Sequence, residues 1–450
     1  MILDGGLSSL YVLCSHAVGA QNYTLAGRYV QLAVVGYQIL YVPIVWFWYA
    51  RGSLASVMMW LGLQDQRDGV TTSVTTEAIE IANAFLPFAL AHVGVAALDT
   101  TLHSLLDIVG LERYSTMLKG VHSICKFFGV AYISLFESAQ LWMIGLWHVA
   151  MCALFVVINL VIVVYQQWLN QYWHGLLFSF ALADFRAVKA FTISSLSLSV
   201  RYMIEYCGWE ILFIFAAMQG PAEIAVWGLL GSAWDVVGDI ANALAGAAKV
   251  RVAQLLGSQS TMAARYSAHK TFFLALLLAG VMSLSTYLCR ESIPGWLTQD
   301  IALKKMLFSL VPLVCVGLLV LPFGTMAWAI LCAQGRTALA TGMSFLGVLG
   351  VTLPLSALFT WLNVNLEGLL SAVIAGHATS GALNFFFTVI SDWDKIATTV
   401  WKRAQKSRKN KNKGPDEYPS SSSESSSAGN MGNVPNNKDN ATSSSLPEIA

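Results

Sequence analysis

The stretch Glu205-Tyr206-Cys207-Gly208-Trp209-Glu210 lies inside an apolar run from Ile193 to Ala217. The stretch Val250-Arg251-Val252-Ala253-Gln254-Leu255-Leu256-Gly257 closes the next run, Ile224 to Ala248. A helix needs about 20 mostly apolar residues to cross about 30 Å of hydrocarbon, and both runs are long enough. Working outward, similar runs occur near 2–20, 29–49, 78–98, 121–136, 142–165, 272–288, 306–331, 342–362 and 369–390. The reading is an all-α polytopic membrane protein with about eleven transmembrane helices.

Composition excludes most alternatives. The 450 residues are 56% hydrophobic and only 11% charged, against about 25% charged in soluble domains. Lys+Arg (26) and Asp+Glu (25) balance, so no nucleic-acid partner is expected. The seven cysteines and eight histidines are scattered without metal-ligand or CxxC spacing, and no phosphate-binding P-loop occurs. Neither an enzyme, nor a cofactor, nor a metal site, nor ATP-driven pumping is expected.

Charge placement orients the chain. Lys402, Arg403, Lys406, Arg408, Lys409, Lys411 and Lys413 form a basic run, followed by a Ser-rich segment. Such a tail reads as disordered and cytoplasmic. With that end inside, the cytoplasmic loops hold ten Lys/Arg residues, Lys249 among them, and the exterior loops five. The domain expectation is a first bundle over 1–185, a second over 186–398 and a disordered tail over 399–450.

Self-similarity supports two bundles. Gly19-Ala20-Gln21 matches Gly257-Ser258-Gln259, and Pro87 with Gly110 matches Pro312 with Gly335 at the same internal spacing. A parallel duplication predicts pseudo-symmetric bundles about an axis along the membrane normal. The second then counts six helices and the first five, so a first helix is expected to be missing from twelve.

These residues resemble the multidrug and toxic compound extrusion (MATE) transporters, eukaryotic type. Glu205–Glu210 is similar to the family's E-x-x-x-aromatic-E in its seventh helix, and Ala247–Gly257 to its A-A-x-x-R-V-x-x-x-L-G close of the eighth. Leu13-Cys14-Ser15-His16-Ala17-Val18-Gly19-Ala20 resembles L-C-G-Q-A-x-G-A, and Leu331–Arg336 stands where the family has L-R-G-x-G. The resemblance covers about Leu3 to Lys395. It implies a monomeric antiporter in the plasma or an organelle membrane, exporting cationic or amphipathic organic compounds by rocking of two bundles. Protons, or alternatively sodium, would be the coupling ion. It also implies that Glu205 is the proton-linked glutamate. Two departures are Leu321, where eukaryotic members often carry an acid, and Ser197, where the family has proline. A non-transporting truncated paralogue is the alternative they support; a lipid-linked flippase of related fold is a second, disfavoured by the excess of intramembrane acids.

Ionisable groups at bilayer depth are costly and mark function by default. Glu205 and Glu210 are five positions apart on one helix, about 140° around its axis, and need not share a cavity. Arg201 precedes Glu205 by one turn and forms a candidate pair. Ser232, Asp235, Asp239, Asn242, Gly246 and Lys249 recur at steps of three or four, a polar stripe on an apolar helix. Two carboxylates one turn apart favour a shared cation or proton. Tyr206 and Trp234 are candidate pocket aromatics. In the first bundle, His92, Asp99 and His103 fall on one side of a helix, either as a proton relay or as a solvated pair near a helix end.

Overall fold

The computed structural model describes residues 4–51, 73–136, 140–178 and 180–409. Among these there is no strand. The long helices are α1 (Asp4–Gly19), α2 (Tyr23–Arg51), α3 (Ser73–Val109), α4 (Glu112–Ser134) and α5 (Leu141–Tyr165) in the first bundle. The second holds α6 (Phe185–Gln219), α7 (Pro221–Gly257), α8 (Thr261–Leu288), α9 (Ile301–Ala333), α10 (Thr337–Trp361) and α11 (Leu366–Val389). A last helix, α12, spans Trp393–Lys409.

By length and composition, eight of these suit a bilayer crossing: α2, α3, α5 and α7 to α11. Charged side chains explain why α4 and α6 fall outside that set: α4 carries Glu112, Arg113, Lys119 and Lys126, and α6 carries Arg186, Lys189, Arg201, Glu205 and Glu210. A helix lies over most of the described part of every sequence-predicted span. Several run further, and α3 continues eleven residues past the expected end at Leu98, to Val109.

The duplicated residues occupy equivalent places. Gln21 and Gln259, 238 positions apart, both adopt left-handed backbone, φ 55° and 60°. Gly110 and Gly335 do so at φ 95° and 76°, a region that glycine enters without Cβ strain. Pro87 and Pro312 lie inside α3 and α9. The bundles meet where α1 crosses α7, and the contact is reciprocal. A Cβ on Gly19 would lie 2.0 Å from the Gln254 carbonyl oxygen, and one on Gly257 would lie 2.4 Å from that of His16. His16 Nε2 donates across the interface to Ala333 O at 2.7 Å, and Gln254 Nε2 donates to Ile108 O at 2.6 Å. His16 and Gln254 are again 238 positions apart. Such reciprocity is what a duplication about an axis near this crossing predicts.

Two expectations are corrected. The tail does not begin at 399, because residues 399–409 are helical in α12. Its apolar residues Trp393, Ala397, Val400 and Ala404 are all buried. Spaced by four, three and four, they form one face that docks on α1, α2, α7 and α8. Asn22 Nδ2 ties this helix to α2 through Ala404 O at 2.8 Å. The remaining tail, 410–450, lies outside the described residues. The second correction concerns Lys249, counted above as a loop cation: it is part of α7 and only 6% exposed.

Candidate functional site

Helices α6, α7, α9, α10 and α11 enclose a cavity of about 200 Å³ within the second bundle. Glu205 and Arg201 reach it from α6, and Trp234, Asp235, Asp239 and Asn242 from α7. A wider cavity of about 1130 Å³ lies between the bundles, lined from α1, the α3–α4 corner, α6, α7 and α9. Arg201, Glu205, Asn242 and Trp328 line both. They form the partition between the two spaces.

The polar stripe of α7 explains this arrangement. Its Asp235–Asp239–Asn242 end faces the smaller cavity, and its Asn242–Gly246–Lys249 end faces the larger one. Asp235, Asp239 and Asn242 line this cavity, and all three are exposed. No ion pair or hydrogen bond reaches either aspartate among the described residues.

At the partition, Arg201 Nη2 donates to Glu205 Oε1 at 2.5 Å. The Arg201 guanidinium also lies 3.8 Å from the centroid of the Trp328 ring, close enough for a cation–π contact. Their side chains are 11% and 31% exposed respectively. The acid is thus the accessible member and the arginine the buried one. Leu321 is a buried wall of the smaller cavity.

Glu210 and Tyr206 are not part of either cavity. Both are exposed on the other side of α6, as the angular separation of Glu205 and Glu210 allows. Trp234, by contrast, is buried against His377 with ring centroids 6.0 Å apart.

Sequence reasoning missed the α11 wall. His377, Ser380 and Asn384 line the smaller cavity at steps of three and four, the same signal that exposed the α7 stripe. Asn384 Oδ1 is buried there without a hydrogen-bond partner among the described residues. Opposite, α10 contains a π-helical segment, Leu346–Thr352, of the kind that interrupts regular helices at functional sites. No residue pattern announced it.

The first bundle holds a separate cluster. Asp99 Oδ1 is 3.4 Å from His103 Nε2, and Asp99 Oδ2 is 3.9 Å from His122 Nδ1. His103 Nδ1 is bonded to Ser115 Oγ at 3.0 Å. His103 is 2% exposed and Asp99 16%, which overturns the reading of a solvated pair. The cause is the extension of α3 to Val109, which carries both residues inside the bundle. His92 lies 3.4 Å from Lys126 Nζ. The α4 members, His122 and Lys126, were missed although Ser115, Lys119, His122 and Lys126 recur there at steps of four, three and four.

Comparison with known proteins follows from this geometry. The MatE family model matches residues 198–358. An uncharacterized transporter of Saccharomyces cerevisiae is 22% identical over 413 residues, covering 88% of this chain and 55% of its own length. The chain spans about half or less of the length of the curated relatives it matches. The crystal structure of the eukaryotic MATE transporter AtDTX14 superposes with a TM-score of 0.73 at 16% identity, over 90% of this chain and 87% of that one. A mutant of the Vibrio cholerae MATE transporter VcmN gives 0.71 at 18% identity, over 91% and 86%. At these identities the likeness is one of fold.

Proposed function

We infer that this chain, which belongs to the MATE family, is a secondary antiporter that moves organic compounds across a bilayer in exchange for protons. Glu205 carries the reading: it is the accessible half of an ion pair that borders both cavities. A proton arriving at Glu205 removes its charge and frees Arg201. That changes the electrostatics of both spaces at once and biases the rocking of one bundle against the other. Asp235 and Asp239, exposed in the cavity and without partners among the described residues, receive a cationic group or a proton on the inner side. Sodium is the alternative coupling ion, held by the same oxygens with Asn242. The Asp99–His103–His122 cluster is a second place for a proton, inside the first bundle. The chain works as a monomer in the plasma or an organelle membrane, with α12 and the following residues on the cytoplasmic side.

Flux in proteoliposomes tests this. An imposed pH gradient should drive organic-compound exchange, and Glu205→Gln should lower it at least tenfold. Arg201→Met with Glu205→Gln guards against a misfolded single variant, since it leaves no unpaired buried cation. Full proton-driven flux in that double variant would overturn the role of Glu205. Flux that follows a sodium gradient and ignores pH would replace the proton by sodium.

A further inference from the structure

We propose that Lys249 makes the cavity between the bundles a binding site for an aromatic carboxylate. This rests on the transport reading and names the substrate class of its larger cavity. Lys249 is 6% exposed, and no hydrogen bond or ion pair reaches it among the described residues. Its Nζ lies 5.2 Å from the centroid of the Tyr11 ring and 5.3 Å from that of Trp328. All three residues line the larger cavity.

A buried ammonium without a counter-ion is costly, and ring faces return only part of its hydration. The cavity's own acids do not supply the missing charge. Asp107 is bonded to Lys119 at 3.2 Å and Glu205 to Arg201 at 2.5 Å, while Glu112 is exposed. Lys249 is therefore the buried cation whose charge a solute can complete. Tyr11 comes from the first bundle and Trp328 from the second, so the rings flank the ammonium from both sides of the interface. A flat aromatic body carrying one carboxylate satisfies both features. A pyrophosphate would call for a fork of guanidinium groups close together; of the two that line this cavity, Arg201 is held by Glu205 and Arg251 is exposed.

The test is equilibrium binding to the purified full chain in detergent, with two probes of one ring and opposite charge: 2-naphthoate and 2-naphthylmethylammonium. Expected is saturable binding of 2-naphthoate that weakens at least tenfold in Lys249→Gln and returns in Lys249→Arg. The ammonium probe should not respond to either substitution. Lys249→Gln should be folded and no less heat-stable than the parent, because it removes an unpaired buried charge. Equal 2-naphthoate binding by parent and Lys249→Gln would overturn the proposal. So would a drop in Lys249→Gln that is the same for both probes, or tighter Lys249-dependent binding of inorganic pyrophosphate. Because binding is read without a gradient, Lys249-dependent binding with no proton-driven flux sinks the antiport reading alone. Proton-driven flux with no Lys249-dependent binding sinks this one alone.

Discussion

In the first bundle, Asp99 is enclosed with His103 and His122; in the second, Asp235 and Asp239 stand exposed in a cavity with no protein partner among the described residues. The two bundles share a backbone plan, down to the left-handed Gln21 and Gln259, yet treat carboxylates in opposite ways. An enclosed acid faces protein groups, and removing it takes its charge from two neighbouring histidines. An open acid faces the cavity, where a solute or an ion can reach it. The comparison predicts that substitutions in the first bundle are felt first as stability and those in the second first as transport.

The largest effect belongs to the place where the bundles are alike. Gly19→Val and Gly257→Val each drive a side chain into a facing backbone carbonyl, and overpacking of this kind costs about 1–3 kcal/mol or more. Both variants should lose similar amounts of thermal stability in detergent. Gly6→Ala, with nothing within 4 Å of its Cβ position, should lose little. A large inequality between Gly19 and Gly257 would break the reciprocity of the α1–α7 crossing.

Next comes Asp99→Asn. It keeps the shape but withdraws a charged acceptor from His103 and His122, with an expected cost of about 1–2 kcal/mol, in the range for an under-satisfied buried polar group. Asp99→Asn with His103→Leu and His122→Phe should recover part of the loss. If the single variant is fully stable, the Asp99 charge does not hold His103 and His122 in place.

Asp239→Asn should shift stability by no more than about 0.5 kcal/mol, as for exposed sites without partners. Its effect should appear in flux, reduced at least fivefold, and more so with Asp235→Asn. Unchanged flux in the double variant would leave the second bundle's carboxylates without a transport role.

The sequence made some of this legible and not the rest, for physical reasons. Spans were readable because each run is apolar over a bilayer's thickness. The α7 stripe was readable because polar residues recur at helical spacing on an apolar background. Lys249 was misassigned because a cation near the end of an apolar run looks like a loop residue, and only packing reveals that the helix continues past it. His122 and Lys126 were missed because their importance lies in what faces them, Asp99 and His92 on α3. The π-helical segment of α10 leaves no residue pattern of its own. The docked face of α12 was hidden by its basic residues, which dominate composition while Trp393, Ala397, Val400 and Ala404 do the packing.

The smallest expected effect separates position from motif. Glu210 belongs to the same E-x-x-x-aromatic-E pattern as Glu205 and lies on the same helix, yet it is exposed away from both cavities, as is Tyr206. If proximity to the cavities decides function, Glu210→Gln and Tyr206→Phe should leave both thermal stability and proton-driven flux within about twofold of the parent. Glu205→Gln, five positions earlier on the same helix, should not. A loss in Glu210→Gln comparable to that in Glu205→Gln would mean that α6 turns during the transport cycle to bring its other face inward. The division drawn here between enclosed and open acids would then describe one state of the second bundle, not a fixed property of its residues.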